Sequence, residues 1–318
     1  MLIASALIVI GIIMLAWSAD RFVDSAAAIA VSLRMPPMII GLTIVSLGTS
    51  LPEMLVSATA AINGDPDIGI GNVLGSNIAN IGLVLGLTAL IVPLMVKSRT
   101  LKHEMPLLFM VTFLTFALMS DGDLSFSDGL ILLITLVLVL FLIIRIGLKD
   151  RHDPLAQEFS ESMPAKTGRG RSIIIFLVSL TLMIISSRLL VQGAADIARY
   201  LGISDLVIGL TIVAIGTSLP ELVASIFSVL KNEADLAIGN VIGSNMFNLL
   251  AVLAMPALIQ PGRFAPEALL RDFPVMLAFT IALFVVSFGK KGGKINRFEG
   301  GLLAGAFAGY LYFLYLQA

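Results

Sequence analysis

Apolar residues run along this chain in stretches of about 20 or more, separated by short polar breaks. A helix needs about 20 such residues to cross a hydrocarbon core of about 30 Å. A window of that length predicts ten spans, at 2–31, 38–62, 68–92, 104–120, 124–147, 172–199, 206–230, 236–260, 267–288 and 297–316. The fourth and ninth are short, and each starts near a proline, Pro106 and Pro274. The run from Leu2 to Trp17 has no basic segment ahead of it and continues into a longer helical pattern, which reads as a retained first span and not a cleaved signal. The expected fold is an all-α integral membrane protein of ten transmembrane helices.

Composition agrees, with 58% apolar and 13% charged residues. The net charge of -1 is confined to the breaks, so no basic face exists for nucleic acid. Fifteen of the 20 lysines and arginines fall on one side of the ten-span arrangement. By the positive-inside rule that side is cytoplasmic, which places the protein in the plasma or inner membrane with both termini outside. Cysteine is absent, and His103 and His152 fall in predicted loops, so thiolate or imidazole metal clusters cannot form within the membrane. Only Lys149 to Arg171 is polar and long enough to be a linker, and it is too short for a folded domain. The expected organisation is a five-helix unit at 1–148, a cytoplasmic linker at 149–171 and a second five-helix unit at 172–318. Five is odd, so the second unit should sit upside down relative to the first, as an inverted repeat.

The halves do align, without a gap, at an offset of 168 residues. IGLTIVSLGTSLPEMLVS (40–57) lies over IGLTIVAIGTSLPELVAS (208–225), and IGNVLGSNIAN (70–80) over IGNVIGSNMFN (238–248). Between 40–80 and 208–248, 22 of 41 positions are identical. The identities concentrate in Gly, Thr, Ser, Pro, Glu and Asn, residues a lipid-facing surface selects against. Small residues also let helices pack closely, but packing does not account for glutamates. Glu53 and Glu221 fall near the middle of their spans, where a charge costs roughly 2.5–3.5 kcal/mol or more. Pro52 and Pro220 precede them, and a proline inside a helix removes one donor and displaces a carbonyl of the preceding turn. Carbonyls around Ser46–Thr49 and Ala214–Thr217 should therefore be released, and Gly48 and Gly216 should ease the kink. Such carbonyls are tolerated at membrane depth only where they line a cavity or bind something.

One repeat thus offers the carboxylate of Glu53, the hydroxyls of Thr49, Ser50 and Ser76 and the amide of Asn80. The other offers Glu221, Thr217, Ser218, Ser244 and Asn248. All are hard oxygen donors of the kind Ca²⁺ takes six to eight of, in a flexible geometry that Na⁺ can share. Two carboxylates neutralise one divalent ion or serve monovalent ions in neighbouring subsites, which is what exchange requires.

The paired GTSLPE and GSN blocks resemble the alpha repeats of the calcium/cation antiporter superfamily, specifically its sodium/calcium exchangers of the prokaryotic type. The resemblance covers both halves and nearly the whole chain. It implies that Glu53 and Glu221 share a central ion cluster, and that Thr49, Ser50, Ser76, Thr217, Ser218 and Ser244 donate oxygens to it, with the carbonyls of Ser46 and Ala214. It implies Na⁺/Ca²⁺ antiport by alternating access, with the first and sixth spans sliding against an ion-binding core. Some relatives carry aspartate where this chain has Asn248, which argues against K⁺ co-transport here. The linker stands in place of the large regulatory loop of animal exchangers. A proton-coupled Ca²⁺ antiporter is the alternative, since a carboxylate can carry either ion. An intramembrane enzyme is disfavoured for want of a nucleophile, a membrane histidine or any asymmetry between the halves. The expected partners are Ca²⁺, Na⁺ and the lipid bilayer, with no resident cofactor, no nucleic acid and no obligate protein partner.

Other polar residues have plainer readings. Asp20, Arg21 and Asp24 read as interfacial or as a local ion pair, and Arg188 likewise. Asp65, Asp67 and Asn232–Asp235 read as solvated turns, and Asp121 and Asp123 as an outer loop without the spacing of a calcium loop.

Overall fold

A computed structural model of the chain describes residues 2–96, 98–149, 168–202, 214–287 and 293–317. Helix α1, Leu2–Leu33, is followed by α2 (Pro37–Thr49) and α3 (Leu51–Ile62), then α4 (Pro66–Ile91). A two-residue strand β1 (Leu94–Met95) leads to α5 (Ser98–Met119), and β2 (Asp123–Leu124) leads to α6 (Phe126–Lys149). The second half holds α7 (Arg169–Tyr200), α8 (Ala214–Thr217), α9 (Leu219–Leu230) and α10 (Ala234–Ile259). It closes with β3 (Gly262–Arg263), α11 (Ala268–Ser287), β4 (Lys294–Ile295) and α12 (Arg297–Gln317). Most of the expected linker and the start of the seventh span, 206–213, lie outside the described residues, as does His152.

Among the described residues, α1, α4, α6, α7, α10 and α11 are each long and apolar enough to cross a membrane, and α2 with α3 makes a seventh if the bent pair is one span. The fourth expected span is shorter in apolar content, His103–Met119, but its helix begins at Ser98. His103 therefore lies in a helix and not in the expected loop: Pro106 stands inside that helix and does not end it.

Two small ribbons report how the halves are related. Leu94 pairs with Ile295 and Met95 with Lys294, whereas Asp123 pairs with Arg263 and Leu124 with Gly262. β1 and β2 lie at opposite ends of α5, whose 22 residues span about 33 Å at 1.5 Å each. Because β3 joins β2, residues 94–95 and their counterparts at the 168-residue offset, 262–263, lie at opposite ends of the molecule.

α4 and α10 form the centre. Their apolar stretches are 72% and 83% buried, against 22–33% for α1, α6, α7 and α11. The outer helices show side chains such as Ile13, Val137, Phe141 and Val285 on the surface, as a lipid-facing shell requires. α1 and α7 pack on each other, with Phe22 and Phe176 stacked at 4.7 Å between ring centroids. Where α2 crosses α10 the backbones approach closely, and a Cβ added at Gly239 would lie 2.5 Å from the Met38 carbonyl oxygen.

Candidate functional site

Each GTSLPE block stops one helix and starts another. Ser50 (φ −83°, ψ 2°) and Ser218 (φ −86°, ψ 5°) leave helical geometry. Pro52 and Pro220 then occupy the first turn of the next helix, where a missing N–H costs nothing and the fixed φ is favourable. The expected kink is a full break: α2 and α3 meet at 41°. The break brings the C-terminal end of α2, with its negative end of the helix dipole, against the N-terminal end of α3. α8 and α9 are joined the same way. Glu53 and Glu221 sit in the first turns of α3 and α9, where the positive dipole end favours a carboxylate.

The released carbonyls differ from expectation in detail. The Ser46 carbonyl keeps a helical bond, accepting from the Ser50 N–H at 3.0 Å, and the Thr49 hydroxyl also lies within donating distance of it at 3.4 Å. In the other half Ser218 N–H donates to the Ile215 carbonyl at 3.2 Å. The Gly216 carbonyl accepts from the Ser187 hydroxyl of α7 at 2.7 Å.

α4 and α10 complete the site. Both carry π-helical turns, Asn80–Leu85 and Asn248–Val252, and each opens at an asparagine of the repeat. A wider turn of this kind interrupts the helical ladder and recurs at functional sites. Thr49, Ser50, Glu53, Ser76, Asn80, Ser218, Glu221, Ser244 and Asn248 are all at most 5% exposed, and Ser46 is fully buried. Thr217 is partly exposed. The carboxyls of Glu53 and Glu221 are close enough to repel one another, and the Thr49 and Ser50 hydroxyls face Glu221 across the boundary between halves.

Cross-half hydrogen bonds hold the parts in place. Thr49 donates to Asn240 Oδ1 at 3.1 Å and lies 3.5 Å from the Ser244 hydroxyl. Asn80 Nδ2 donates to Asn245 Oδ1 at 3.1 Å. Within each half an asparagine ties the glutamate helix to its neighbour: Asn72 Nδ2 donates to the Glu53 carbonyl at 3.2 Å and to Ser57 at 3.1 Å, while Asn240 Nδ2 donates to the Glu221 carbonyl at 3.4 Å and to Ser225 at 3.3 Å. Asn72, Asn77, Asn240, Asn245, Ser57 and Ser225 were not among the residues expected at the site. Their signal was present, since all are identities between the two repeats.

The remaining polar atoms define what the site can do. Among the described residues, Ser50 Oγ, Glu53 Oε2, Asn77 Oδ1, Asn80 Oδ1, Ser218 Oγ, Glu221 Oε2, Asn245 Nδ2 and Asn248 Oδ1 are buried and have no hydrogen-bond partner. Leaving one buried polar group unmet costs about 1–3 kcal/mol. Eight together cost on the order of the whole stability of a domain, about 5–15 kcal/mol. Seven of the eight are oxygens, two of them from carboxyls, which is a donor set for hard cations and not for a soft metal. No group of three or more His, Cys, Asp or Glu able to hold a metal exists among the described residues, so any ion here relies on hydroxyls and amides beside the two glutamates.

The two sides of the site are unequal. Asn240 is 1% exposed and Gly239 and Gly243 are sealed against α2, whereas their counterparts Asn72 and Gly75 are partly exposed and Gly71 is exposed. Among the described residues, the side of the site toward the α9–α10 turn is thus more buried than the side toward the α3–α4 turn.

Residues outside this cluster behave as solvated or structural groups. Asp20 and Asp24 of α1 pair with Lys231, Arg21 lies 5.9 Å over the Trp17 ring, and Arg188 is exposed on α7. Asp67 accepts from the Ala265 N–H at 2.8 Å, and Asp121 from the Asp123 N–H at 3.0 Å.

Comparison with known proteins gives the family and the fold. The family model described as sodium/calcium exchanger protein matches residues 3–145 and 171–316. The chain is 48% identical over 320 residues to the putative antiporter CaxA of Alkalimonas amylolytica, covering 99% of each chain. It is 31% identical to the sodium/calcium exchanger MaX1 of Methanosarcina acetivorans, covering 97% of each. Its fold superposes on the sodium-calcium exchanger NCX_Mj, solved after soaking with Na⁺ and Sr²⁺, with a TM-score of 0.82 and 32% identity over 100% of this chain and 98% of that one. With both repeats inside the matched segments, the chain belongs to the sodium/calcium exchanger family.

Proposed function

We propose that this protein is a secondary antiporter that exchanges Na⁺ for Ca²⁺ by alternating access, with the ions held between two inverted five-helix repeats. The observation that carries the reading is the set of buried, unpartnered oxygens contributed in matching positions by both repeats: Ser50 and Ser218, Glu53 and Glu221, Asn80 and Asn248. A pair of carboxylates balances one Ca²⁺, and the neutral oxygens around them complete the six to eight ligands it takes. The same oxygens serve Na⁺ ions in adjacent subsites, so filling by one ion displaces the other.

Alternating access follows from the symmetry. The opposite placement of residues 94–95 and 262–263 supports an inverted arrangement of ten spans, and near-equivalent halves can exchange their open and closed arrangements around a fixed site. The unequal exposure of Asn72 and Asn240 is then one of two mirror-image states. With the lysine- and arginine-rich side cytoplasmic, the more exposed side of the site faces outward, as do both termini.

The experiment is Ca²⁺ uptake into Na⁺-loaded proteoliposomes diluted into Na⁺-free medium, with vesicles carrying only a pH gradient beside them and K⁺ present or absent. Uptake that needs the Na⁺ gradient and ignores K⁺ is expected. Uptake driven by the pH gradient alone would replace Na⁺ coupling with proton coupling at the same site.

A further inference from the structure

The asparagine that closes each GSN triplet, Asn77 and Asn245, is identical in the two repeats, yet the two are bonded differently. Asn245 Oδ1 accepts a hydrogen bond from Asn80 Nδ2 at 3.1 Å, across the boundary between the halves. Asn77 instead donates to Val73 of its own helix at 3.1 Å, and its Oδ1 has no partner, so the mirror bond from Asn248 to Asn77 is not made. All four side chains are 1% exposed. Identical residues in different bonding states mean that the tertiary arrangement decides the bond, and it is made in the arrangement that leaves Asn72 partly exposed and Asn240 buried.

A primary amide is planar and carries its donor and acceptor on opposite sides of one carbon. Holding Asn80 by its nitrogen therefore fixes where its oxygen points, and that oxygen is one of the unpartnered atoms at the site. Turned the other way, Asn80 would present N–H groups, which repel a cation where a ligand is needed. No other hydrogen bond to the Asn80 side chain exists among the described residues.

We propose that Asn245 is a positioning residue that holds the Asn80 amide with its oxygen toward the bound ion. The inference rests on the assignment of Asn80 as an ion ligand. Asn245 touches the ion only through Asn80, so its loss should resemble the loss of one well-oriented ligand. Removing an outer partner of a metal ligand typically costs 10–100-fold in affinity, and about tenfold weaker Ca²⁺ binding is expected here.

A double-mutant cycle tests this. Ca²⁺ binding is measured by equilibrium dialysis on the full chain in nanodiscs, and the KM for Ca²⁺ by Na⁺-driven uptake, for the wild type, Asn245→Leu, Asn80→Ala and the double variant. Asn245→Leu should raise Kd and KM about tenfold, and the double variant should be no weaker than Asn80→Ala alone. Wild-type Kd in Asn245→Leu, or effects of the two changes that simply add, would overturn the proposal. Asn245→Ser removes the bridge with a small side chain that can bond its own preceding turn; it carries the same test if the leucine variant does not fold. A wild type that binds Ca²⁺ without exchanging it for Na⁺ would end the antiport reading while the binding cycle still judges the bridge. A wild-type Kd in Asn80→Ala would end the bridge proposal alone, and no Ca²⁺ binding by the wild type would end both.

Discussion

Lys231, on the turn between α9 and α10, reaches Asp24 of α1 with Nζ 2.6 Å from Oδ1, and the same ammonium lies 2.7 Å from Asp20 Oδ1 and donates to the Asp20 carbonyl at 2.8 Å. This triad fastens α1 to the end of the molecule where the site is more buried. The corresponding position at the more exposed end is Asn63, which carries no charge. The ion pairs are partly exposed, so their contribution to stability is small, about 0.2–1 kcal/mol. Lys231→Gln should lower the melting temperature by only a few degrees. Its clearer effect should be faster thiol labelling of a single cysteine at Ala224, which is buried beside α1; the native chain has no cysteine to confuse the signal. Unchanged labelling would show that apolar packing alone keeps that end buried.

Glu53→Gln and Glu221→Gln should each reduce Ca²⁺ transport at least a hundredfold while leaving the protein inserted and monodisperse. Each change keeps the volume and removes one of two charges that a divalent ion needs. In ion-free buffer both variants should melt no lower than the wild type, because the repulsion between two buried carboxyls is relieved. Flux assays and thermal unfolding check the two halves of this statement separately, and transport at wild-type rates would remove the paired-carboxylate site.

Asn248→Asp should alter ion preference or coupling ratio more than it alters expression. Asn248 is buried, its oxygen has no hydrogen-bond partner, and a carboxylate there would add a third negative charge to the cluster. Competition of Na⁺ and K⁺ against Ca²⁺ uptake, with reversal-potential measurements of stoichiometry, would detect it. Unchanged selectivity and coupling would place Asn248 off the ion path.

Matched glycines give a test of the more buried end. A Cβ at Gly239 would meet the Met38 carbonyl at 2.5 Å and α2 backbone at 3.1 Å, while at Gly71, its counterpart at the more exposed end, nothing described lies within 4 Å. Gly239→Ala should destabilise the protein by about 1–3 kcal/mol, as overpacking does. Gly71→Ala should stay within about 0.5 kcal/mol, as surface changes do. Thermal unfolding of the two variants in the same detergent compares them directly, and equal losses would contradict the unequal packing of the two ends.

The sequence by itself determined the membrane class, the approximate helices and the two copies of the site. Those features are encoded locally: apolar length sets a span, Pro52 and Pro220 set the breaks, and a buried carboxylate beside hydroxyls signals a cation wherever it occurs. Even the residues that went unexpected at the site, Asn72, Asn77 and their copies, stand among the identities of the repeat, because both halves make use of them. Hydropathy misjudged His103, since polarity alone does not stop a helix, and the proline argument expected the Ser46 carbonyl to be released when the Ser50 N–H still reaches it. Only the tertiary structure decided which of two identical residues does what. Asn245 holds Asn80 while Asn77 bonds its own helix, and Gly239 is sealed while Gly71 is open. A duplicated sequence is blind to that difference: each half carries the same instructions, and a single conformation must choose which half to bury more deeply.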